Sequence, residues 1–575
     1  MTAESVPLVR QFLSRAAHTP LALAFAVYPA GASRATADLS WGEWADASRA
    51  IAAQLLQAGI GPGDRVMVLA GNRPLWPIAD LAIQMVGAIG VGVYPTSTPA
   101  QVEAMVMDSG TALALVAGAT HRRTLQYARR AVGRALPIIA DAPENEFPPA
   151  AGDVVTGDSS WEEWQRRGAA SLASDATLRA ALEARISAVA LDDLAALIYT
   201  SGSTGKPKGA CISHRYLAAS AESIADVLAL TSADRTLSFL PFSHAAERVF
   251  GQCTRIVAGL PTALIEDPAD VFVVARSFEP TMLGGLPRIF ERLYEAVEVA
   301  RRDGTDPRTA ITDRIGPRCR FATSGGAAMP SHIAAELAAL GLPILGAYGQ
   351  TEHLCVAMNR PGHFRFDAVG VPMPGTTVRI ADDGELLVAK SALTFSGYWG
   401  DAHATRAAFT DDGEWLRTGD RAALDADGML RITGRVKELI ALSTGRKIAP
   451  IPIEAALVSS PFIAHAVCYG EGRKYLTALL SLRRPVVEAW ARTAGLALAW
   501  PDLVAHPRWQ AMLHDVVSQV NADLARTDRV QRFTVIAHEL TVEAGELTPT
   551  HKLVRQVIAA RYAESFDALY GESSA

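Results

Sequence analysis

The sequence predicts an α/β protein with a large, multilobed N-terminal part and a small α+β C-terminal domain. Three observations support this. Segments with helical apolar spacing alternate with short apolar runs through the first two thirds of the 575 residues. Short, closely spaced strands then crowd together near 376–388 and 430–442, which suggests a barrel-like part or an antiparallel end to the large lobe. Beyond Gly434–Glu438 (GRVKE) lies a stretch of about 140 residues mixing strands and helices, within the usual range for one domain.

Each element has a local reason. Ser40–Ala58 carries Trp44, Ala47, Ile51 and Leu55 at helical spacing, with Ser40 placed to cap it. Asp64–Leu69 reads as a buried strand, Leu81–Ile89 as a helix and Gly90–Tyr94 as the next strand. Ala112–Val116, Pro137–Ala140, Leu194–Tyr199, Arg235–Leu240, Thr281–Leu286 and Leu342–Gly346 read as further strands. Ala142–Ser174 is polar, with Pro and Gly, and reads as a surface excursion. In the C-terminal part, Ile463–Tyr469 and Tyr475–Leu482 read as strands. Pro485–Ala494, Trp509–Leu524 and His551–Leu569 read as helices.

Bulk composition excludes several function classes. With 54 Lys and Arg against 60 Asp and Glu, the net charge of −6 gives no electrostatic basis for binding nucleic acid. The five cysteines are odd in number, widely spaced and never in a CxxC pair, so neither a disulfide framework nor a zinc site follows. A reduced, cytoplasmic setting is expected. The N-terminus lacks the basic start and apolar middle of a secretory signal. The most apolar run, Leu81–Tyr94, is shorter than the ~20 residues of a membrane span and contains Gln84. No span is expected; peripheral contact with a membrane is left open.

The most informative stretch is Ile198–Cys211, IYTSGSTGKPKGAC. A strand ending in a turn rich in glycine and hydroxyls, with two lysines, suits a phosphate: glycines let backbone N–H groups approach, hydroxyls donate, and lysines neutralise. It is not a Walker A loop, because Thr200 stands where that motif needs Gly and Pro207 follows Lys206 where a hydroxyl is needed. A solvated turn is the competing reading on composition alone.

The residue order resembles the signature of the acyl-adenylate-forming (AMP-binding) superfamily, which includes acyl-CoA synthetases, peptide-synthetase adenylation domains and luciferases. Further motifs resembling the same family follow in order: FLPFSHAAER (239–248), SGGAAMP (324–330), YGQTE (348–352), WLRTGD (415–420), Arg435-Val-Lys437 and LTPTHKLVR (547–555). GDRV, NRPLW and YPTSTPAQVEAMVMDSG upstream extend the resemblance over nearly the whole chain. It implies an N-terminal domain of stacked sheets, 1–434, holding the ATP and acyl sites. A hinge then joins it to a mobile domain, 435–575, that carries a catalytic lysine.

The resemblance also implies roles. A carboxylate attacks the α-phosphate of ATP, pyrophosphate leaves, and the acyl-AMP passes its acyl group to CoA. Negative charge meets negative charge, so positioning and neutralisation must carry the catalysis. Lys552 is the cation expected to bridge carboxylate and α-phosphate; without LTPT it would read as a surface lysine at the start of a helix. Glu352 and the hydroxyl of Thr200 are expected to hold Mg²⁺, with Thr351 beside the α-phosphate. A carboxylate at a helix N-terminus is the plain alternative for Glu352. Ser201, Gly202, Ser203, Thr204, Gly205, Lys206 and Lys208 are expected around the β- and γ-phosphates.

Tyr348, Gly349, Gln350, Gly325, Gly326 and Ala327 are expected to flank adenine. Asp420 is expected to accept from both ribose hydroxyls, with Arg435 adding a ribose or phosphate contact. His244 resembles the position lining the acyl and pantetheine channels. Lys437 matches the hinge and Gly445 a close approach to pantetheine.

SHAAER, LPRIFERLYE (286–295), LTPT and the closing HKLVRQVIAARYAESFDALY resemble the long-chain acyl-CoA synthetase branch. The implied reaction is AMP-forming ligation of a medium- or long-chain fatty acid, or a similarly apolar carboxylate, to CoA. Departures at Ala327-Ala328-Met329, His551 and Arg446-Lys447 leave the acid unspecified. The rival readings are a ligase loading a carrier-protein phosphopantetheine and a scaffold that has lost the chemistry. The absence of a surplus segment between Asp420 and Lys437 disfavours the first. Retention of Lys552, Glu352 and Asp420 disfavours the second. The sequence does not specify an oligomeric state.

Overall fold

The computed structural model describes residues 5–133, 135–141, 157–201, 207–548 and 552–571. Contacts divide the chain into two compact units, Met1–Arg379 with Val388–Arg417, and Ile380–Leu387 with Thr418–Ala575.

The first unit holds three sheets. The largest has seven strands in the order Ser159–Ser160, Ile138–Ala140, Leu113–Val116, Arg65–Leu69, Ile89–Val93, Leu194–Ser201, Pro207–Ser213. All neighbours run parallel except the last pair. A five-stranded sheet runs Met282–Gly285, Phe321–Ser324, Ile344–Gln350, His353–Met358, Val371–Pro372, parallel through its first three strands and antiparallel beyond. A four-stranded sheet joins Thr236–Ser238, Thr262–Ile265, Leu23–Tyr28 and Ala37–Ser40. The short strands expected near 376–442 include a four-stranded sheet of linear order, Val378–Ile380, Glu385–Ala389, Trp415–Leu424, Leu430–Arg435. The second unit adds a three-stranded sheet, Ile463–Tyr469, Leu476–Leu482 and Val530–Ile536, covered by helices.

Local chemistry sets many boundaries. The helix Trp41–Gln57 starts at a reciprocal cap: Glu43 N–H donates to Ser40 Oγ at 3.2 Å and Ser40 N–H donates to the Glu43 carboxylate at 2.8 Å. Trp41, Trp44, Phe12 and Phe25 pack as one buried aromatic cluster beneath it.

Three expectations are corrected. The helix expected from Leu81 begins at Leu75 and ends at Met85. Pro77 does not stop it, because it lies in the first turn, where a missing N–H leaves no hydrogen bond unmade. Of the expected surface excursion 142–174, residues 142–156 lie outside the described residues, but Trp161–Ser174 is a packed helix. Its Trp161, Trp164 and Gly168 share one buried face. A Cβ at Gly168 would lie 1.9 Å from the Ala50 carbonyl oxygen, so this glycine brings the helix into contact with Trp41–Gln57. The last helix begins at Arg555, not His551, and breaks at Tyr562. Among the described residues, no helix is long and apolar enough to cross a membrane.

Candidate active site

The strand Leu194–Ser201 delivers the phosphate-loop motif, and the chain returns along Pro207–Ser213 as an antiparallel strand, with Thr200 opposite Lys208. The motif therefore joins two strands, unlike a Walker A loop, which opens a helix. Gly202, Ser203, Thr204, Gly205 and Lys206 lie outside the described residues, and the side chain of Ser201 is not among those described. The base of the motif is pinned. Tyr199 Oη donates to Asp108 Oδ2 at 2.6 Å, and Trp399 Nε1 donates to the Asp108 carbonyl at 3.2 Å. Burial, then the Asp108 carboxylate, raise the Tyr199 phenol above its usual range, so it remains a donor.

Glu352 sits in a tight turn. Gln350 pairs with His353, leaving Thr351 and Glu352 as the connection between Ile344–Gln350 and His353–Met358. This corrects the alternative of a helix N-terminus. Gly349 is sterically required there, since a Cβ would fall 1.6 Å from the Leu354 carbonyl oxygen. The turn is held from three directions. Tyr216 Oη donates to the Thr351 carbonyl at 2.9 Å, Phe395 N–H donates to the Glu352 carbonyl at 2.9 Å, and Tyr398 Oη donates to Glu352 Oε1. Burial first, then the Glu352 charge, raise the Tyr398 phenol, so its proton stays on oxygen.

Tyr348 lies half-buried two residues before Gln350, opposite Ala357 in the same hairpin. Gly325, Gly326 and Ala327 follow the neighbouring parallel strand Phe321–Ser324. A Cβ at Gly325 would lie 3.2 Å from the Ala347 carbonyl oxygen, so its backbone runs against the strand carrying Tyr348. Gly326 has φ +79°, a conformation glycine adopts without strain. These residues gather at the C-terminal ends of parallel strands, where open α/β sheets bind ligands.

His244 is half-buried; its Nδ1 accepts the Ala246 N–H at 3.0 Å and its ring meets Tyr94 edge-on at 6.2 Å. It precedes a π-helical segment, Ala246–Cys253. Glu247 and Arg248 are both buried and ion-paired inside the protein. Arg248 pairs with Asp80, and Glu247 accepts from Ser238 Oγ at 2.6 Å and pairs with Arg255. These two charges of the SHAAER motif therefore tie together elements behind His244.

In the second unit, Asp420 and Arg435 face each other in the antiparallel pair Trp415–Leu424 and Leu430–Arg435, with Arg435 Nε 3.0 Å from Asp420 Oδ1. Asp420 is thus a strand residue, not a turn residue, and is 5% exposed. Lys437 lies in the single turn Val436–Glu438; its side chain is not among those described. Gly445, φ +80°, sits in the turn between Ile440–Ala441 and Lys447–Ile448 with nothing within 4 Å of an added Cβ. Lys552 is exposed and lies in a turn ahead of the helix. Its N–H donates to Thr548 Oγ1 at 3.0 Å, Thr548 N–H returns to its carbonyl at 2.8 Å, and Leu547 bridges Leu553. Arg555 then donates to Glu454 Oε1 at 2.6 Å and to Glu438 Oε2 at 2.9 Å. One guanidinium thus links the lysine turn to the segment that holds Lys437.

The donor set suits Mg²⁺. Glu352 is 9% exposed, and its Oε1 accepts from Tyr398. Thr200 adds a hydroxyl on a half-buried residue at the strand end. Mg²⁺ commonly takes one or two protein oxygens and fills its shell with phosphate and water. Among the described residues no group of three or more His, Cys, Asp or Glu forms a metal cage.

Motif reading missed Tyr398, Tyr216, Asp108 and Arg555 as partners of the site. Tyr398 stands 46 residues from Glu352, and no spacing in the sequence connects them.

The sequence matches the AMP-binding enzyme family over residues 12–399 and the AMP-binding enzyme C-terminal domain over 437–574. It is 30% identical to the long-chain-fatty-acid–CoA ligase FadD15 of Mycobacterium bovis and of Mycobacterium tuberculosis, over 93% of this chain and 92% of each relative. The long-chain-fatty-acid–CoA ligase ACSBG1 of Mus musculus is 26% identical, over 91% of this chain and 80% of its own. Among solved structures, the adenylation domain of a carboxylate reductase from Mycobacterium chelonae superposes with TM-score 0.81 at 22% identity, covering 99% of this chain and 92% of that chain. The anthranilate CoA ligase AuaEII in complex with anthranoyl-AMP superposes with TM-score 0.75 at 18% identity over 98% of both chains. At these identities the two structures speak for the fold. The order of motifs and the sequence matches converge: the chain belongs to the AMP-binding enzyme family.

Proposed function

We propose that this chain is an AMP-forming acyl-CoA synthetase that ligates a medium- or long-chain fatty acid, or a similarly apolar carboxylate, to CoA at the expense of ATP. The observation that carries the reading is near-full-length similarity to proteins named long-chain-fatty-acid–CoA ligases in a chain that keeps Lys552, Glu352 and Asp420.

In the first half-reaction, a carboxylate oxygen of the acid attacks the α-phosphorus of ATP. The bond to the bridging oxygen breaks, its electron pair leaves with pyrophosphate, and acyl-AMP remains. Thr200 and the residues after it cradle the phosphates, Asp420 and Arg435 hold the ribose, and Tyr348 with Gly325–Ala327 flanks the base. Lys552 neutralises the oxygens that meet in the attack. Mg²⁺, when held by Glu352 and Thr200, supplies positive charge to the phosphate oxygens.

In the second half-reaction, the CoA thiol gives up its proton, its sulfur attacks the acyl carbonyl carbon, and AMP departs with the electron pair of the C–O bond of the mixed anhydride. Rotation about the 435–438 segment, the hinge between 1–434 and 435–575, withdraws Lys552 and presents Gly445 to the pantetheine. The free cysteines suit a reducing, cytoplasmic compartment.

The test is pyrophosphate release from ATP and Mg²⁺ with acids from acetate to oleate and a set of aryl acids, each with and without CoA. CoA-dependent turnover peaking at C8 or longer is the expected result. A burst equal to the enzyme concentration, regardless of CoA, would mean a trapped adenylate and a carrier-protein acceptor; turnover confined to aryl acids would overturn the substrate class.

A further inference from the structure

We propose that Tyr398 is the positioning residue for the Glu352 carboxylate, and that the strap Phe395–Trp399 couples this carboxylate to the exit strand of the phosphate loop. The inference rests on the reading of Glu352 as a Mg²⁺ ligand.

The strap runs beside Pro207–Ser213 as an added edge. Ser396 N–H donates to the Cys211 carbonyl at 2.9 Å, Cys211 N–H donates to the Gly397 carbonyl at 2.8 Å, and Trp399 N–H donates to the Gly209 carbonyl at 2.8 Å. Ala210 and Tyr398 form the antiparallel bridge between them. Four consecutive strap residues are therefore registered against the strand that begins at the end of the phosphate motif.

The same strap grips Glu352 by backbone and side chain. Phe395 N–H donates to the Glu352 carbonyl, and Tyr398 Oη donates to Oε1. Tyr398 is itself fixed. Its N–H donates to Thr405 Oγ1 at 2.8 Å, and its ring packs edge-on against Phe395 at 5.0 Å. Gly397 permits this path: φ is +128°, and a Cβ would lie 2.7 Å from Thr405 Cγ2. The ring of Tyr398 also lies under Lys208 Nζ, 5.4 Å from its centroid. One side chain thus touches a lysine of the phosphate motif with its face and the carboxylate with its hydroxyl.

The chemical consequence is a carboxylate presented through one oxygen. Tyr398 holds Oε1, which restrains the carboxylate and favours Oε2 as the oxygen offered to a cation. Outer partners of this kind change metal affinity by about 10- to 100-fold in known metal sites.

The experiment is a Mn²⁺ titration of the purified full chain, followed by electron paramagnetic resonance, in the presence of α,β-methylene-ATP. It is run on wild type, Tyr398→Phe, Glu352→Gln and the double variant. Nucleotide binding is measured in parallel in EDTA by calorimetry. Tyr398→Phe keeps the ring and its packing, so its melting midpoint is expected to stay near wild type. Its Mn²⁺ affinity should fall about tenfold with metal-free nucleotide binding unchanged, and the double variant should be no weaker than Glu352→Gln. Wild-type Mn²⁺ affinity in Tyr398→Phe, with affinity lost in Glu352→Gln, overturns the role of Tyr398 alone. Unchanged affinity in Glu352→Gln overturns the metal assignment itself and this inference with it. Parallel loss of metal-bound and metal-free nucleotide binding in Tyr398→Phe also overturns it, since that is the signature of a merely structural tyrosine.

Discussion

Asp420 and Arg435 stand directly opposite each other across an antiparallel strand pair, and Arg435 Nε lies 3.0 Å from Asp420 Oδ1. The carboxylate is buried and the guanidinium is half exposed. The pair therefore orients Asp420 while leaving Arg435 able to reach a ligand. Asp420→Ala is expected to raise the KM for ATP by about 10- to 100-fold, the equivalent of one charge-assisted hydrogen bond of about 1.5–3 kcal/mol. Arg435→Ala should raise it less, because the guanidinium is screened by solvent. Steady-state kinetics at saturating acid and CoA would check both.

The proposed mechanism assigns Lys552 and Lys437 to different half-reactions. Lys552→Ala should slow acyl-AMP formation by about 10²- to 10³-fold, the usual loss on removing one electrostatic stabiliser. Thiolation of supplied acyl-AMP should be far less affected. Lys437→Pro, in the turn Val436–Glu438, should do the reverse, because proline restricts the backbone where rotation is needed. Equal losses of both half-reactions in both variants would contradict two working orientations.

Arg555 is a half-buried counter-charge in the second unit. Its side chain is 23% exposed, and Glu454 beneath it is 8% exposed. Arg555→Met strands that carboxylate, whose Oε1 also accepts the Cys468 N–H. A destabilisation of about 2–4 kcal/mol is expected, less than for a fully buried pair. Thermal unfolding of the full chain should show it, and Glu454→Leu added to Arg555→Met should restore part of the loss.

His214 provides a pH signature. It opens the helix His214–Val227, is fully buried, and neither ring nitrogen has a hydrogen-bond partner among the described residues. Burial, opposed by Asp193 and reinforced by Arg248 and Arg10, lowers its pKa from 6.5 to about 4. The unfolded chain therefore binds one more proton than the folded chain between these values. The stabilisation is complete above about pH 6.5 and is lost as pH falls toward 4, by at most about 1.4 kcal/mol per pH unit. His214→Leu should lose that slope, so the melting midpoint of wild type should fall relative to the variant between pH 7 and pH 5.

Much of the candidate site was legible because its chemistry is written locally. A phosphate cradle needs glycines, hydroxyls and lysines within one turn, and Thr200–Lys208 supply them in order. The cap between Ser40 and Glu43 likewise lies within one helical turn. The reading failed where a local rule met a tertiary partner. Gly168 looked like a loop residue, yet it marks the closest approach of two helices. The helix expected over Leu81–Ile89 starts earlier, at Leu75, because Pro77 occupies the first turn, which tolerates it.

The sequence by itself determined the alternation of helices and strands, the order of the motifs and the residue types available for adenylate chemistry. These depend on periodicity, capping and turn preferences acting over a few residues. Tertiary structure alone decided which distant groups meet: Tyr398 with Glu352, Arg555 with both Glu438 and Glu454, Asp108 beneath Tyr199. The reason is geometric. Tyr199 lies on a strand, Asp108 and Glu454 on helices and Glu352 in a turn, and such separate elements bring their side chains together only once the chain has folded.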